Sequence, residues 1–243
     1  MSLRELHVAG SPLVLPNAWD PGSARQVEAA GFPVIATGSA AMAESLGYTD
    51  HEGTPPAEMF AAVARISRAV SVPVTMDAES GYGLPAGELA ERLRAAGAVG
   101  CNIEDTDHAG GGLVDATRQA DVLAALRAAD PNLVINARVD LFLGAQDERT
   151  VLDEGIARAR AYLDAGADCV YPILVRSADV LGAFVNAVSP AAVNALHWPG
   201  GPDLPMLKQL GIARISLGSG LWQLQRVAVQ RALDKLAAGT GVY

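Results

Sequence analysis

Two carboxylates, Asp77 and Glu79, stand two residues apart where the stretch VPVTMDAESGYG (72–83) passes from a strand-like half into a Gly-Tyr-Gly turn. Side chains two apart on a strand share a face, so this pair points one way, as do Asn102 and Glu104 in GCNIED (100–105). Adjacent strands would then gather three carboxylates, whose repulsion is costly without a cation. Mg2+ suits such a site: it is hard, prefers oxygen, keeps several waters and binds few carboxylates directly. Asp77, Glu79 and Glu104 are therefore the candidate metal ligands. Arg138, in INARVD (135–140), has two readings. It neutralises the cluster, or its planar fork holds a substrate carboxylate.

These residues need elements to hold them. Short β-rich runs alternate with amphipathic stretches along the whole chain, at 13–19, 33–39, 72–79, 98–105, 133–140, 168–173, 192–198 and 213–219. Helical patterns such as 88–97, 118–129, 153–167 and 220–239 lie between or after them, and Gly31, Gly97, Gly166 and Gly211 stand where helices end. Such alternation implies parallel βαβ units, and eight of them make a (β/α)8 TIM barrel with parallel strands, read as one domain over 1–243. An open doubly wound sheet is the weaker reading, because the first turn, NAWDPGSA, lacks the Gly-rich fingerprint.

In a barrel the chemistry sits beyond the C-terminal ends of the strands. Polar residues gather there: Asn17, Trp19 and Asp20; Thr37 and Ser39; Asp77 and Glu79; Glu104 and Asp105; Arg138 and Asp140; Asn194 and His197. Each also has a plainer explanation. Asp20 or Asp105 alone reads first as a helix N-cap, and Asp147-Glu148-Arg149 as a solvated helix entry. His51 and His108, in polar loops, are solvated by default, and His197 reads as a hydrogen-bonded core histidine. Trp222 reads as core or oligomer packing rather than a ligand contact.

Composition narrows the function. Half of the 243 residues are hydrophobic and the net charge is −9, which argues against nucleic-acid or anionic-membrane partners. No apolar run is long enough to span a bilayer and no secretory leader is recognisable, so a cytoplasmic enzyme is expected. Cys101 and Cys169 lie in strand-like apolar runs, which suits a reducing compartment. The only lysines, Lys208 and Lys235, fall in helical patterns, so a Schiff-base or pyridoxal-phosphate barrel is excluded. No P-loop, H-E-x-x-H or zinc-type cysteine spacing is present, leaving metal-assisted chemistry.

TGSAAMAESLGYTD (37–50), MDAESGYG (76–83), GCNIED (100–105) and INARVD (135–140), in that order and spacing, resemble the isocitrate lyase/phosphoenolpyruvate mutase superfamily. The resemblance implies Mg2+ and a small 2-oxo (di)carboxylate that reacts through an enolate. It implies that Asp77 holds the metal, with Glu79, Glu104 and Asp50 supporting it partly through water. Ser39 and the backbone N–H groups of Ala40 and Ala41 would cradle the substrate carboxylate, with Trp19, Arg138 and Asn194 also at the substrate. A homo-oligomer, dimer or tetramer, is implied as well.

The chain also departs from the pattern. The usual D-x-D is D-A-E, Tyr171-Pro172 is followed by Ile173 rather than Glu, and the lyase K-[KR]-C-G-H loop is replaced by DTDHAGGGLVDATRQ (105–119). The Lys/Asn-bearing phosphoryl loop is absent too, and the chain stops soon after its last barrel helix. C–C bond cleavage, retro-aldol or decarboxylating, is thus expected over phosphonopyruvate-type P–C chemistry or a non-catalytic 2-oxo acid sensor. Gly110-Gly111-Gly112 is expected to form a mobile lid, making His108 the one side chain between Asp105 and Ala116 suited to proton transfer near neutrality. Cys101 is expected to face the helix layer, and so cannot replace the missing thiol acid.

Overall fold

Pro16 divides the first strand into β1 (Leu13–Leu15) and β2 (Asn17–Ala18) in a computed structural model that describes residues 2–242. Proline carries no N–H for a ladder, but its carbonyl still accepts from Ala36 N–H at 3.2 Å. β1 pairs with β9 (Arg214–Ser216) and β2 with β3 (Ile35–Thr37), so the two halves close the barrel between them. The other strands are β4 (Val74–Asp77), β5 (Ala98–Ile103), β6 (Val134–Val139), β7 (Cys169–Pro172) and β8 (Ala192–Leu196). All pairings between these strands are parallel, in the order β1-β9-β8-β7-β6-β5-β4-β3-β2. Every one of the expected strand runs contains observed strand, and the chain is an α/β barrel of the TIM type.

The helices α1 (Pro21–Ala29), α2 (Ser39–Leu46), α3 (Pro56–Ala69), α4 (Ala86–Ala95), α5 (Ala116–Ala129), α6 (Leu152–Asp164), α7 (Ala178–Val188) and α8 (Leu204–Gln209) precede α9 (Gly220–Ala237). Their starts follow local chemistry. Asp20 forms a capping box with Ser23 on α1, as its plainer reading anticipated, and Asp115, Ser177 and Asp203 cap α5, α7 and α8. Past the end of α4, Gly97 takes φ 79°, and a Cβ there would come 2.9 Å from Ser67 Cβ. Lys208 lies in α8 and Lys235 in α9, both away from the strand ends.

Alternation along the strands divides the barrel wall. Outward-facing Met76, Cys101, Ile103, Ile135 and Ala137 join the main core beneath the helices. Inside, Leu3, Leu13, Leu15, Val34, Ala36 and Val134 form a separate apolar plug. Polar residues share the interior with that plug: Thr75, Asn102, Asn136, Asn194 and Arg214 are all buried. Asp77, Glu104 and Arg138 stand at the strands' C-terminal ends.

Candidate active site

Arg138, at the end of β6, is the hub of the mouth. Its Nε and Nη2 grip Asp140 at 3.0 and 2.8 Å, Nη1 pairs with Glu104, and Asp77 lies 4.0 Å from Nη1. Burial opposes the Arg138 charge, yet Asp140, Glu104 and Asp77 together hold its pKa above the usual range. Of its two sequence readings, neutralisation is directly visible, and the bidentate edge is occupied by Asp140. Asp140 is itself fixed from behind. Its backbone N–H donates to Asp105 at 2.8 Å, while Arg158 and the Tyr162 hydroxyl of α6 bind the other Asp105 oxygen at 3.1 and 2.6 Å. The capping expectation for Asp105 is therefore corrected: the carboxylate is fully buried, and its partners come from α6 and the end of β6.

Asp77 ends β4 under the start of α2. The Ser39 N–H donates to its Oδ2 at 3.3 Å and Asn102 Nδ2 to its Oδ1 at 3.4 Å, both long contacts. Ser39, Ala40 and Ala41 open α2, ahead of its first intrahelical bond, Met42 N–H to Gly38 O at 3.1 Å. Their N–H groups thus form the electropositive end of a helix.

Glu79 sits two residues beyond β4 in left-handed backbone, φ 49°, and Tyr82 (58°), His51 (66°) and Glu52 (58°) share that uncommon conformation. Three of them, Glu79, Tyr82 and Glu52, lock two loops together. Glu79 accepts from Glu52 N–H at 2.5 Å and from the Tyr82 hydroxyl at 2.7 Å, while Glu52 accepts from Tyr82 N–H at 2.6 Å. Burial pushes the Glu79 pKa up to about 7 against both hydrogen bonds. Backbone held in such conformations at one place marks a site where the surroundings over-determine geometry.

The loop after β5, the expected lid, folds over this cluster as a hairpin. Thr106 and Leu113 form an antiparallel bridge, and Asp107 N–H donates to Gly112 O at 2.9 Å. Asp107 Oδ1 also accepts from the N–H groups of Ala109 and Gly110, and a Cβ on Gly110 would come 2.6 Å from the Asp107 carboxylate. The hairpin delivers His108 into the site, where Nε2 meets Glu104 Oε1 at 2.5 Å. The solvated reading of His108 is thereby overturned: its side chain is 10% exposed and packs 5.3 Å from the His51 ring. The bond to Glu104 raises the His108 pKa, and burial raises that of Glu104, so the pair retains a proton toward higher pH.

Ser39, Asp50, His51, Glu79, Glu104, Thr106, His108, Arg138, Asp140 and Leu143 line one cavity of about 100 Å³. Of the expected substrate and metal residues, Trp19, Ala40, Ala41, Asp77 and Asn194 are not on its wall. Asn194 is fully buried and exchanges hydrogen bonds with Ser216, and Trp19 packs edge-on against Trp222, ring centroids 5.2 Å apart. Trp222 is thus a packing residue. His197 lies outside this cavity, with Nδ1 3.3 Å from Pro202 O. Cys101 is free, fully buried and in the helix-facing core, as expected.

The donor set suits a hydrated divalent ion. Asp50 Oδ1 is buried without a hydrogen-bond partner, and burial raises the pKa of both Glu79 and Glu104. Among the described residues no three Asp, Glu, His or Cys side chains converge as direct ligands. An ion here would therefore keep several of its waters, as Mg2+ does.

Three residues escaped the sequence reading: Glu52, Tyr82 and His51 as a cavity residue. Tyr82 between two glycines was the one visible signal; the positive φ angles and the contacts between loops leave no trace in residue type.

Comparison with known proteins places this geometry in context. A model of the phosphoenolpyruvate phosphomutase family matches residues 3–237. The chain is 34% identical over 194 residues to "Probable 2-methylisocitrate lyase 1" of Corynebacterium glutamicum, covering 74% of this chain and 61% of that protein. It is 37% identical over 176 residues to the oxaloacetate decarboxylase of Rhodopseudomonas palustris strain CGA009, covering 68% and 59%. The crystal structure of a candidate phosphonomutase from Burkholderia cenocepacia J2315 superposes with TM-score 0.88 at 43% identity, covering 96% of this chain and 97% of that one.

Proposed function

The chain belongs to the phosphoenolpyruvate phosphomutase family, and from that premise we propose that it is a Mg2+-dependent lyase cleaving a C–C bond of a small 2-oxo carboxylate. The observation that carries this reading is the convergence of Ser39, Asp50, Glu79, Glu104, His108 and Arg138 on one cavity of about 100 Å³. A space that small takes a substrate of only a few carbons. The names of the Corynebacterium and Rhodopseudomonas relatives, a lyase and a decarboxylase, support the reaction class.

Asp77 would hold the ion, with Glu79, Glu104 and Asp50 supporting it through water. Bound there, Mg2+ would supply Lewis acidity that polarises the 2-oxo group and lowers the energy of negative charge developing on its oxygen. The α2 N-terminus, Ser39 to Ala41, binds and orients the substrate carboxylate. Arg138 contributes the fixed positive charge beside it, held in place by Asp140. Cleavage leaves the bonding electron pair on the carbon next to the oxo group, as an enolate, while the other fragment departs as carbon dioxide from an ionised carboxylate, or as a carbonyl compound whose hydroxyl proton passes to the Asp50 carboxylate. His108, whose pKa is raised by its contact with Glu104, returns a proton to that carbon. Trp19 and Asn194 act on the substrate only through the residues they pack against.

We further assign the protein to the cytoplasm and to a homo-oligomer. Both cysteines are free and buried, and no helix of the described residues is long and apolar enough to cross a membrane. α9 buries none of its residues and exposes Leu224, Val227, Val229, Leu233 and Leu236, an apolar surface suited to a second copy.

A panel of 2-oxo acids and their aldol adducts, incubated with Mg2+ and followed by NMR, tests the function. Carbon dioxide or aldehyde formation from one of them supports the lyase. Phosphate release from phosphonopyruvate would assign P–C chemistry, and binding without turnover would leave a sensor.

A further inference from the structure

Arg214 is the largest of the fully buried side chains and lies inside the barrel on β9, in register with Asn194 and Leu13. No carboxylate of the described residues comes within 4.0 Å of it, and its Nε and Nη1 have no hydrogen-bond partner. A cation buried without a counter-ion costs stability, so its position calls for a functional account. Its single hydrogen bond runs from Nη2 to Asn102 Oδ1 at 3.0 Å. Asn136 Nδ2 donates to the same oxygen at 2.8 Å.

This arrangement decides which way Asn102 faces. A guanidinium can only donate, so the amide oxygen must point down to Arg214, and the amide N–H groups must then point up. There Nδ2 meets Asp77 Oδ1 at 3.4 Å. Asp77 thereby faces a donor on the barrel side and the Ser39 N–H on the other. Accepting from a cation polarises the amide, which strengthens its N–H as a donor.

We propose that Arg214 is a positioning residue for the metal site, acting through Asn102 to fix the orientation of the Asp77 carboxylate from inside the barrel. The inference rests on the reading of Asp77 as the residue that holds the ion. Arg214 touches neither substrate nor ion; it sets the geometry of the residue that does.

A double-mutant cycle on Mn2+ affinity, measured from the paramagnetic resonance of the free ion, tests the relay in the absence of substrate. Arg214→Met and Asn102→Ala are each expected to weaken binding by about tenfold, the scale of losses behind a metal ligand. The double variant should bind no worse than the weaker single, because both changes cut one chain. Arg214→Lys, which restores a donor and a charge, should bind within about threefold of wild type. A merely structural role would instead give losses that multiply and no rescue by lysine. Either result overturns the inference, as does wild-type affinity in folded Arg214→Met. If near-ultraviolet circular dichroism shows that Arg214→Met does not fold, Asn102→Ala decides, since wild-type affinity there breaks the only link to Asp77. Failure of the unmodified protein to bind Mn2+ removes the metal reading and the inference together; failure of the cycle alone removes only the relay.

Discussion

The barrel mouth carries two hollows of opposite character. Over β4 to β6 lies the cavity of about 100 Å³ walled by carboxylates, two histidines and one arginine. Beyond β8 and β9 lies a hollow of about 710 Å³, walled by Leu196, Trp198, Leu217, Leu221, Leu224 and Val227 among others. The larger one is by size the natural ligand pocket, yet no carboxylate or arginine lines it, and one wall is α9, which stands off the barrel without a buried residue. What separates them is electrostatic. The small cavity concentrates charges that fold together only because each is held by another, and such charge convergence marks chemistry where volume does not.

The comparison breaks first at Asp77. Asp77→Ala should abolish Mg2+ binding in calorimetry and lower turnover by more than about a hundredfold. Leu221→Ala, on the wall of the larger hollow, should leave both within about twofold. Wild-type Mg2+ affinity in Asp77→Ala, or an equal loss in Leu221→Ala, would transfer the site to the other hollow.

Next come His108 and Arg138 of the small cavity. His108→Asn keeps a polar side chain but loses the titrating ring, and should lower kcat by about a hundredfold with Mg2+ affinity unchanged. An unaltered pH–rate profile in that variant would rule out its role as proton donor. Arg138→Ala leaves Asp140 and Glu104 buried without their cation, costing on the order of 3–5 kcal/mol of stability by urea unfolding. Binding of a 2-oxo acid should weaken by more than about tenfold in the fraction that folds. Arg138→Lys should rescue little, because a point charge cannot span Asp140 and Glu104 at once.

Smaller in scale, pH sharpens the contrast. The folded state raises the Glu79 pKa from 4.5 to about 7. The stability this contributes is fully present below pH 4.5 and lost as pH rises through about 7. His108, also raised, loses its contribution in the same sense above its ordinary value of 6.5. Without a divalent ion, Tm should therefore fall by on the order of a few degrees between pH 5 and 8. Glu79→Gln should flatten the slope, and Mg2+ should raise Tm most at the alkaline end, where the carboxylates are ionised. A metal-free Tm that is level across this range in wild type would contradict the burial of charge at Glu79.

The two hollows also show what a sequence makes legible. Strands buried on both faces read as apolar runs between turn residues, which is why each strand position is visible in the chain. Asp77, Glu79, Glu104 and Arg138 are visible for the converse reason: charges at the ends of apolar runs need an explanation. Asp105 misleads because its partners Arg158 and Tyr162 lie 53 and 57 residues further on, and nothing local separates a cap from a buried acceptor. Glu52 and Tyr82 stay hidden because their role depends on left-handed backbone. Arg214 hides differently. Within ARISLGS (213–219) it reads as one polar residue in an apolar strand, and only the closed barrel shows that it points at Asn102.

The last expectation is of no effect. The lyase pattern that the sequence resembles carries a loop cysteine, and this chain keeps two cysteines elsewhere, so a thiol is the obvious rival to His108. Geometry argues against both. Cys101 precedes Asn102, which faces the barrel interior, so its sulfur faces the helices; Cys169 is equally buried on β7. Burial pushes each thiol up to about 12, far from the thiolate that alkylation requires. Neither lines either hollow. Iodoacetamide at neutral pH should therefore leave kcat and Mg2+ affinity unchanged over a time in which a reactive thiol is fully modified. Inactivation that substrate slows would place a cysteine at the reacting carbon and make His108 a neighbour of the acid. Inactivation that substrate does not slow, with alkylation mapped to Cys101 or Cys169, would show that the barrel opens enough to expose its wall, and would weaken the contrast between a rigid charged cavity and a loose apolar one.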